Sequence, residues 1–150
     1  MGILMEKLLS EGTRPRVVDD CVRLVDDEVK AKKGLTGKMI QLGYKAFTAL
    51  KPGIVRKATE HLLDDFARVL DGHYDSYLAA DPGKREPFSS WAQKRDSRIA
   101  DDLLKITDGI IAGSDKRVSR KIYDSLRGAA QRNVAEAVPA VGKLVLRHLG

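Results

Sequence analysis

Four pairs of adjacent aspartates are the residues in this sequence most able to do chemistry: Asp19-Asp20, Asp26-Asp27, Asp64-Asp65 and Asp101-Asp102. Carboxylates are hard oxygen donors of the kind Mg²⁺ takes. On a helix, Asp19 and Asp26 fall on one face two turns apart, so a Mg²⁺ site shared with a second Asp-rich helix is geometrically open. Asp19, Asp20, Asp26, Asp101 and Asp102 are therefore the candidate metal ligands. An Asp-Asp-x-x-Asp run is not met, because Arg23 stands where the last aspartate should be. A plainer rule is met. Asp19–Arg23, Asp26–Lys30, Asp64–Arg68 and Asp101–Lys105 each place an acid four residues before a base, the order that stabilises a helix surface. Surface ion pairs are the expectation.

The histidines add little. His61 and His73 share one predicted helix but stand ~18 Å apart at its rise per residue, too far for one metal. His73 falls on an apolar stripe, as a hydrogen-bonded core histidine would, and the paired Glu-x-x-His of a di-iron bundle is absent. The single cysteine, Cys21, excludes an internal disulfide and lies among Val18, Val22 and Val25, the setting of an inert buried thiol. Gly34-Leu35-Thr36-Gly37-Lys38 is not a P-loop: the glycine spacing is too short, Met39 follows the lysine, and no strand precedes it. No catalytic constellation emerges, and no cofactor is called for.

Basic clusters remain: Lys30, Lys32, Lys33 and Lys38; Lys84 and Arg85; Lys94, Arg95 and Arg98; Lys116, Arg117, Arg120 and Lys121. The first and last groups are the candidate contacts for an anion, a nucleic acid or an anionic lipid. Single-strand binding would also want exposed aromatics, and most of the Tyr and Phe here fall on predicted buried stripes.

The elements that must position these groups are helices. With 150 residues, 43% hydrophobic, the chain suits one domain with a real core, and no alternating strand pattern appears. The net charge of +6 permits an acidic partner without requiring one, since 21 acids are interspersed. No run reaches the ~18 apolar residues of a membrane span. The opening stretch is too short and charged for a signal peptide, and Glu6 breaks a myristoylation motif, so a cytoplasmic location is expected.

The longest amphipathic run is 54–80. Val55, Ala58, Leu62, Phe66, Val69, His73 and Tyr77 form its predicted buried stripe, with Leu63, Leu70 and Tyr74 widening it. Lys57, Glu60, Asp64, Arg68, Asp71 and Asp75 make the solvated face. The other helices should pack along it. They are predicted at 3–10, 14–32, 38–50, 88–94, 96–112 and beyond, where one helix carries Val118, Ile122 and Leu126 to about Gly128 and a last one runs 129–148. The helix at 38–50 is expected to bury Met39, Ile40, Ala46, Phe47 and Leu50 before Pro52 stops it. Gly113, Ser114 and Asp115 should separate two helices, and Trp91 should anchor the loop before it to the body.

Residues 16–29 echo 98–111, with Arg16/Arg98, Asp19/Asp101, Asp20/Asp102 and Asp26/Asp108 in register. A duplication with units 14–62 and 96–149 would explain it. The sequence thus predicts a single all-α domain, a bundle of about seven helices around a long central one, with a possible pseudo-two-fold repeat. The function it favours is a non-enzymatic interaction or scaffold module with a protein partner or a second copy. The alternatives are a basic-surface binder of nucleic acid or anionic lipid, and an Asp-lined metal enzyme or apolar-ligand carrier.

Overall fold

The computed structural model describes every residue except Met1, Lys84, Ser114 and Gly150, together with all side chains of the described residues but that of Ser119. Lys84 of the second basic cluster and Ser114 of the predicted helix break therefore lie outside the described residues. Among the described residues seven helices follow in order: α1 (Ile3–Leu9), α2 (Arg14–Ala31), α3 (Gly34–Leu50), α4 (Ile54–Ala80), α5 (Phe88–Gln93), α6 (Asp96–Ala112) and α7 (Arg117–Leu149). No strand occurs among the described residues.

α4 is the axis. α1, α2 and α6 pack along it, and α7 closes the bundle over α5, α6, α1 and α2. The buried stripe of α4 is Leu63, Ala67, Leu70, Asp71, Tyr74 and Tyr77, one residue out of phase with the predicted line through Leu62 and Phe66. Asp71 is the informative departure. Expected on the solvated face, it is buried, and its carboxylate accepts the N–H groups of Gly2 at 3.1 Å and Met5 at 3.4 Å. α1 docks here through Leu4, Met5 and Leu8, and its first N–H groups have no partner within their own helix. A carboxylate from α4 supplies the acceptor and suits the positive end of the helix dipole.

The loop 81–87 is fastened at both ends. The Tyr77 hydroxyl donates to the Glu86 carbonyl at 2.6 Å, and the Glu86 N–H donates to Asp81 at 2.9 Å. Beyond it, Phe88 and Trp91 of α5 join Tyr74 and Tyr77 in one aromatic cluster, with ring centroids 5.2–6.0 Å apart. Trp91 is the expected anchor, only 5% exposed.

Two predicted boundaries shift. α3 begins at Gly34 rather than Lys38, because Gly34 takes φ +75° and turns the chain straight into the helix. α7 runs unbroken through Gly128, where one helix was expected to end and the next to start, and continues through Pro139. A proline there loses one helical N–H donor, but Val138, Leu144 and Val145 around it are buried, and that packing holds the helix together. The continuity of α7 also separates the two halves of the chain. α2 is followed by the separate α3 and a break at Pro52, whereas α6 is followed by one 33-residue helix. The duplication is not confirmed.

α3 is held to α2 by two devices. The Gln41 amide reaches back to the carbonyls of Val29, Lys30 and Lys32 at 3.0–3.1 Å, satisfying the open end of α2. Gly37 sits against the Lys32 backbone so closely that a Cβ would lie 2.7 Å from its carbonyl carbon. Gly37→Ala should therefore destabilise by about 1–3 kcal/mol despite alanine's better helix propensity. Gly43→Ala, where a Cβ meets nothing within 4 Å, should stabilise by up to about 1 kcal/mol. Urea unfolding of both variants tests the opposite signs.

Candidate functional site

α3 turns its apolar face outward. Leu35, Met39, Leu42, Ala46 and Leu50 recur at helical spacing along one line, and all are exposed. Leu35 and Leu50 reach 80% and 81% exposure, and Met39 and Leu42 each 68%. Phe47 flanks the stripe at 52%. Met39, Ala46, Phe47 and Leu50 were expected to be buried, and the correction has a geometric cause. The face that meets α2 is the opposite one, where Gly37 and Gln41 make the contacts, and no other helix packs extensively on α3.

The charge around this stripe has one sign. From Val29 to Thr59 the chain carries eight Lys or Arg and no Asp or Glu. Lys33, Lys38, Lys45 and Lys51 stand exposed on α3 or at its ends, with no ion pair among the described residues. Lys38 and Lys45 flank one edge of the apolar stripe on the helical wheel. Lys30 and Lys32, grouped with them by sequence, are engaged: Lys30 pairs with Asp26 at 2.8 Å, and Lys32 reaches Glu136 of α7 at 2.5 Å.

A second apolar patch lies where α6 meets α7. Ile110, Val118, Ile122 and Leu126 are 50–70% exposed. Arg117, Arg120 and Lys121 are exposed beside them, and Lys116 stands at the helix start. The two basic groups do not form one patch around a shared point. Lys32 meets α7 at Glu136, about 22 Å along the helix axis from Lys121.

Each candidate metal ligand faces a cation or a histidine. Asp19 pairs with Arg56, and Asp26 with Lys30. Asp20 accepts from His148 Nε2 at 2.6 Å, and Asp102 from His73 Nε2 at 2.8 Å. Asp101 accepts from Arg127 at 2.9 Å and lies 3.6 Å from Lys105. Among the described residues, no group of three or more His, Cys, Asp or Glu side chains converges. Of the four expected pairs within single helices, Asp26–Lys30 and Asp101–Lys105 form. The other two aspartates are taken by arginines from neighbouring helices, Asp19 by Arg56 and Asp64 by Arg14.

Arg127 ties α7 to α6. It donates to both oxygens of Asp108 at 2.8 and 3.1 Å and to Gln131 at 2.7 Å, while the Tyr123 hydroxyl donates to Asp108 at 2.5 Å. Hydrogen bonds from Arg127 and then Tyr123 hold the Asp108 carboxyl below its ordinary range, and burial pushes the Tyr123 phenol up. These groups are spent on each other, which marks a structural clasp.

Cys21 borders an apolar void of about 170 Å³ shared with Val17, Leu63, Phe66 and Val145. A void of that size takes a ligand no larger than a benzene ring. Burial, with a smaller push from Asp20, raises the thiol to about 11. Iodoacetamide at pH 8 should therefore leave native Cys21 unmodified over a period in which the urea-unfolded chain reacts fully, read by intact mass.

No curated protein and no solved structure matches this chain. A family model does match, over residues 4–149: the chain belongs to DUF6918, a family of unknown function.

Proposed function

We propose, from a family that carries no assigned activity, that this protein is a non-enzymatic module that attaches to anionic lipid surfaces through α3. The exposed Leu35–Met39–Leu42–Leu50 stripe in an acid-free, lysine-rich stretch is the observation that carries it. A helix with apolar side chains on one face and lysines beside it lies in the plane of a bilayer interface. Each lysine near an anionic leaflet contributes about 1 kcal/mol, and each leucine that enters the acyl boundary up to about 1.5–3 kcal/mol. Together these exceed the marginal anchoring of one myristoyl chain, so binding should be reversible but measurable. Attachment would be peripheral, because no described helix is long and apolar enough to cross a membrane. The expected cytoplasmic location belongs to the same proposal, since anionic lipid is concentrated in the cytoplasmic leaflet.

Charge argues against a second copy, and the exposed leucines argue against a nucleic acid. Two copies meeting through α3 would bring Lys33, Lys38, Lys45 and Lys51 against their own counterparts with no acid on either helix to offset them. A nucleic acid would use the lysines but leave the leucines in water. Sedimentation with phosphatidylglycerol vesicles, with phosphatidylcholine as control, tests the reading. Binding to the anionic vesicles that weakens at high salt supports it. A stable dimer that ignores both vesicles overturns it.

A further inference from the structure

A cleft of about 710 Å³ opens between α4 and α6, with α5 at one end, and α3 is no part of its wall. Its rim is cationic. Arg68 comes from α4, Arg98 and Lys105 from α6, and Arg95 from the turn between α5 and α6. Among the described residues Asp102 is the only acid lining it, and that carboxylate already faces His73 at 2.8 Å and Lys105 at 3.4 Å. Arg98 has no hydrogen bond or ion pair from its side chain among the described residues. Arg68 is held by Asp65 at 2.9 Å, a single contact to a guanidinium with five donors.

The inner wall is of a different kind. Val69, Ile106 and Trp91 make it apolar, and Gly72 leaves it open, since a Cβ there would meet nothing within 4 Å. The Arg95 guanidinium lies 4.0 Å over the Trp91 ring, held in place by a hydrogen bond to the Trp91 carbonyl at 3.0 Å. Trp91 is 5% exposed, and its indole N–H is the one buried side-chain polar atom among the described residues with no hydrogen-bond partner. A buried donor left unpaired costs about 1–3 kcal/mol, so a native chain that keeps one invites a ligand or water acceptor.

We propose that this cleft binds a small soluble organic phosphate with a planar or apolar body. Arg98, Arg68 and Lys105 supply the fork and point-charge donors that phosphate oxygens take, while Arg95 and the Val69–Ile106–Trp91 wall receive the body. The site is separate from α3, so it stands or falls independently of lipid attachment.

Trp91 is the sole tryptophan of the chain and lines the cleft, so its fluorescence reports occupancy directly. Titrations would use adenosine diphosphate and inorganic pyrophosphate without metal. The wild type should give a saturable change in Trp91 emission with adenosine diphosphate, and a weaker one with pyrophosphate, which lacks the body. Arg98→Glu should weaken it about tenfold or more. Lys57→Glu, the same charge change about 16 Å from Arg68 along α4, should leave it unchanged. Arg98 is exposed, so its substitution spares the fold; Arg98→Lys should keep most of the affinity. The proposal is overturned by no saturable response to either anion at low-millimolar concentration. It is equally overturned if Lys57→Glu weakens the response as much as Arg98→Glu, or if only phosphatidylglycerol vesicles change the emission.

Discussion

Replacing Leu42 and Leu50 together by aspartate should abolish binding to phosphatidylglycerol vesicles and leave the fold intact. Both side chains are mostly in water, 68% and 81% exposed, so the folded chain loses almost no packing. Surface changes of this kind stay within about 0.5 kcal/mol, and the thermal midpoint should barely move. At a bilayer the same change removes two apolar insertions and places two anions against an anionic leaflet. The first effect amounts to a few kcal/mol and the second to about 1 kcal/mol for each charge. Their sum corresponds to a loss of roughly a thousandfold or more. The gentler Lys38→Gln, Lys45→Gln double variant should bind roughly 30-fold more weakly and show a shallower salt dependence. If vesicle binding survives the two aspartates, α3 is not the contact, whatever the lysines do.

That test concerns the feature the sequence described least well. Helical periodicity identifies an apolar face but not the neighbour that covers it. In α6 the two coincide only over the first turns: Ile99 and Leu103 are buried, whereas Ile110, expected on the same inward line, is 50% exposed. In α3 they do not. The small and polar side, Gly37 and Gln41, makes the tighter joint to α2, because a glycine admits the Lys32 backbone and an amide satisfies carbonyls that a leucine could not. Breaks read well where backbone chemistry is decisive: Pro52 and Gly53, the latter at φ +79°, end α3 and start α4 as expected. They read poorly at Gly128, where α7 runs on as one helix, and the hydrogen bond lost at Pro139 further along is overridden by long-range packing. The same limit applies to charge. Acid-to-base spacing within a helix is visible in the sequence, but Arg56 and Arg14 arrive from other helices and take Asp19 and Asp64. The absence of acids from Val29 to Thr59 is countable in the sequence, but it does not separate Lys38 and Lys45 from Lys30 and Lys32, which lie in the same stretch and find Asp26 and Glu136 outside it.

Phe88→Ala should be the most damaging single core substitution. A six-residue helix has no stability of its own, so α5 exists only through what it buries. Phe88 is 1% exposed and lies 5.2 Å from the Tyr74 ring, 5.4 Å from Tyr77 and 6.0 Å from Trp91. On the far side of α5, Gly142 of α7 approaches so closely that a Cβ would lie 2.6 Å from Ser89 Cα. With the backbone pinned against α7, α5 cannot slide inward to fill the space a lost ring would leave, and a cavity must remain. Truncations of that kind cost about 3–5 kcal/mol, a large part of the 5–15 kcal/mol that holds a typical domain. At this chain length the melting midpoint should fall by roughly 10 °C. Phe88→Leu, which keeps most of the volume, should cost markedly less. Trp91 reports the local structure in urea, and circular dichroism reports the helices as a whole. Coincident transitions with a large loss would make α5 part of the cooperative core. A loss under about 1 kcal/mol, or a Trp91 transition well ahead of the helices, would instead show α5 opening as a separate unit. The end of the α4–α6 cleft would then loosen with it, and its anion affinity should fall in the same variant.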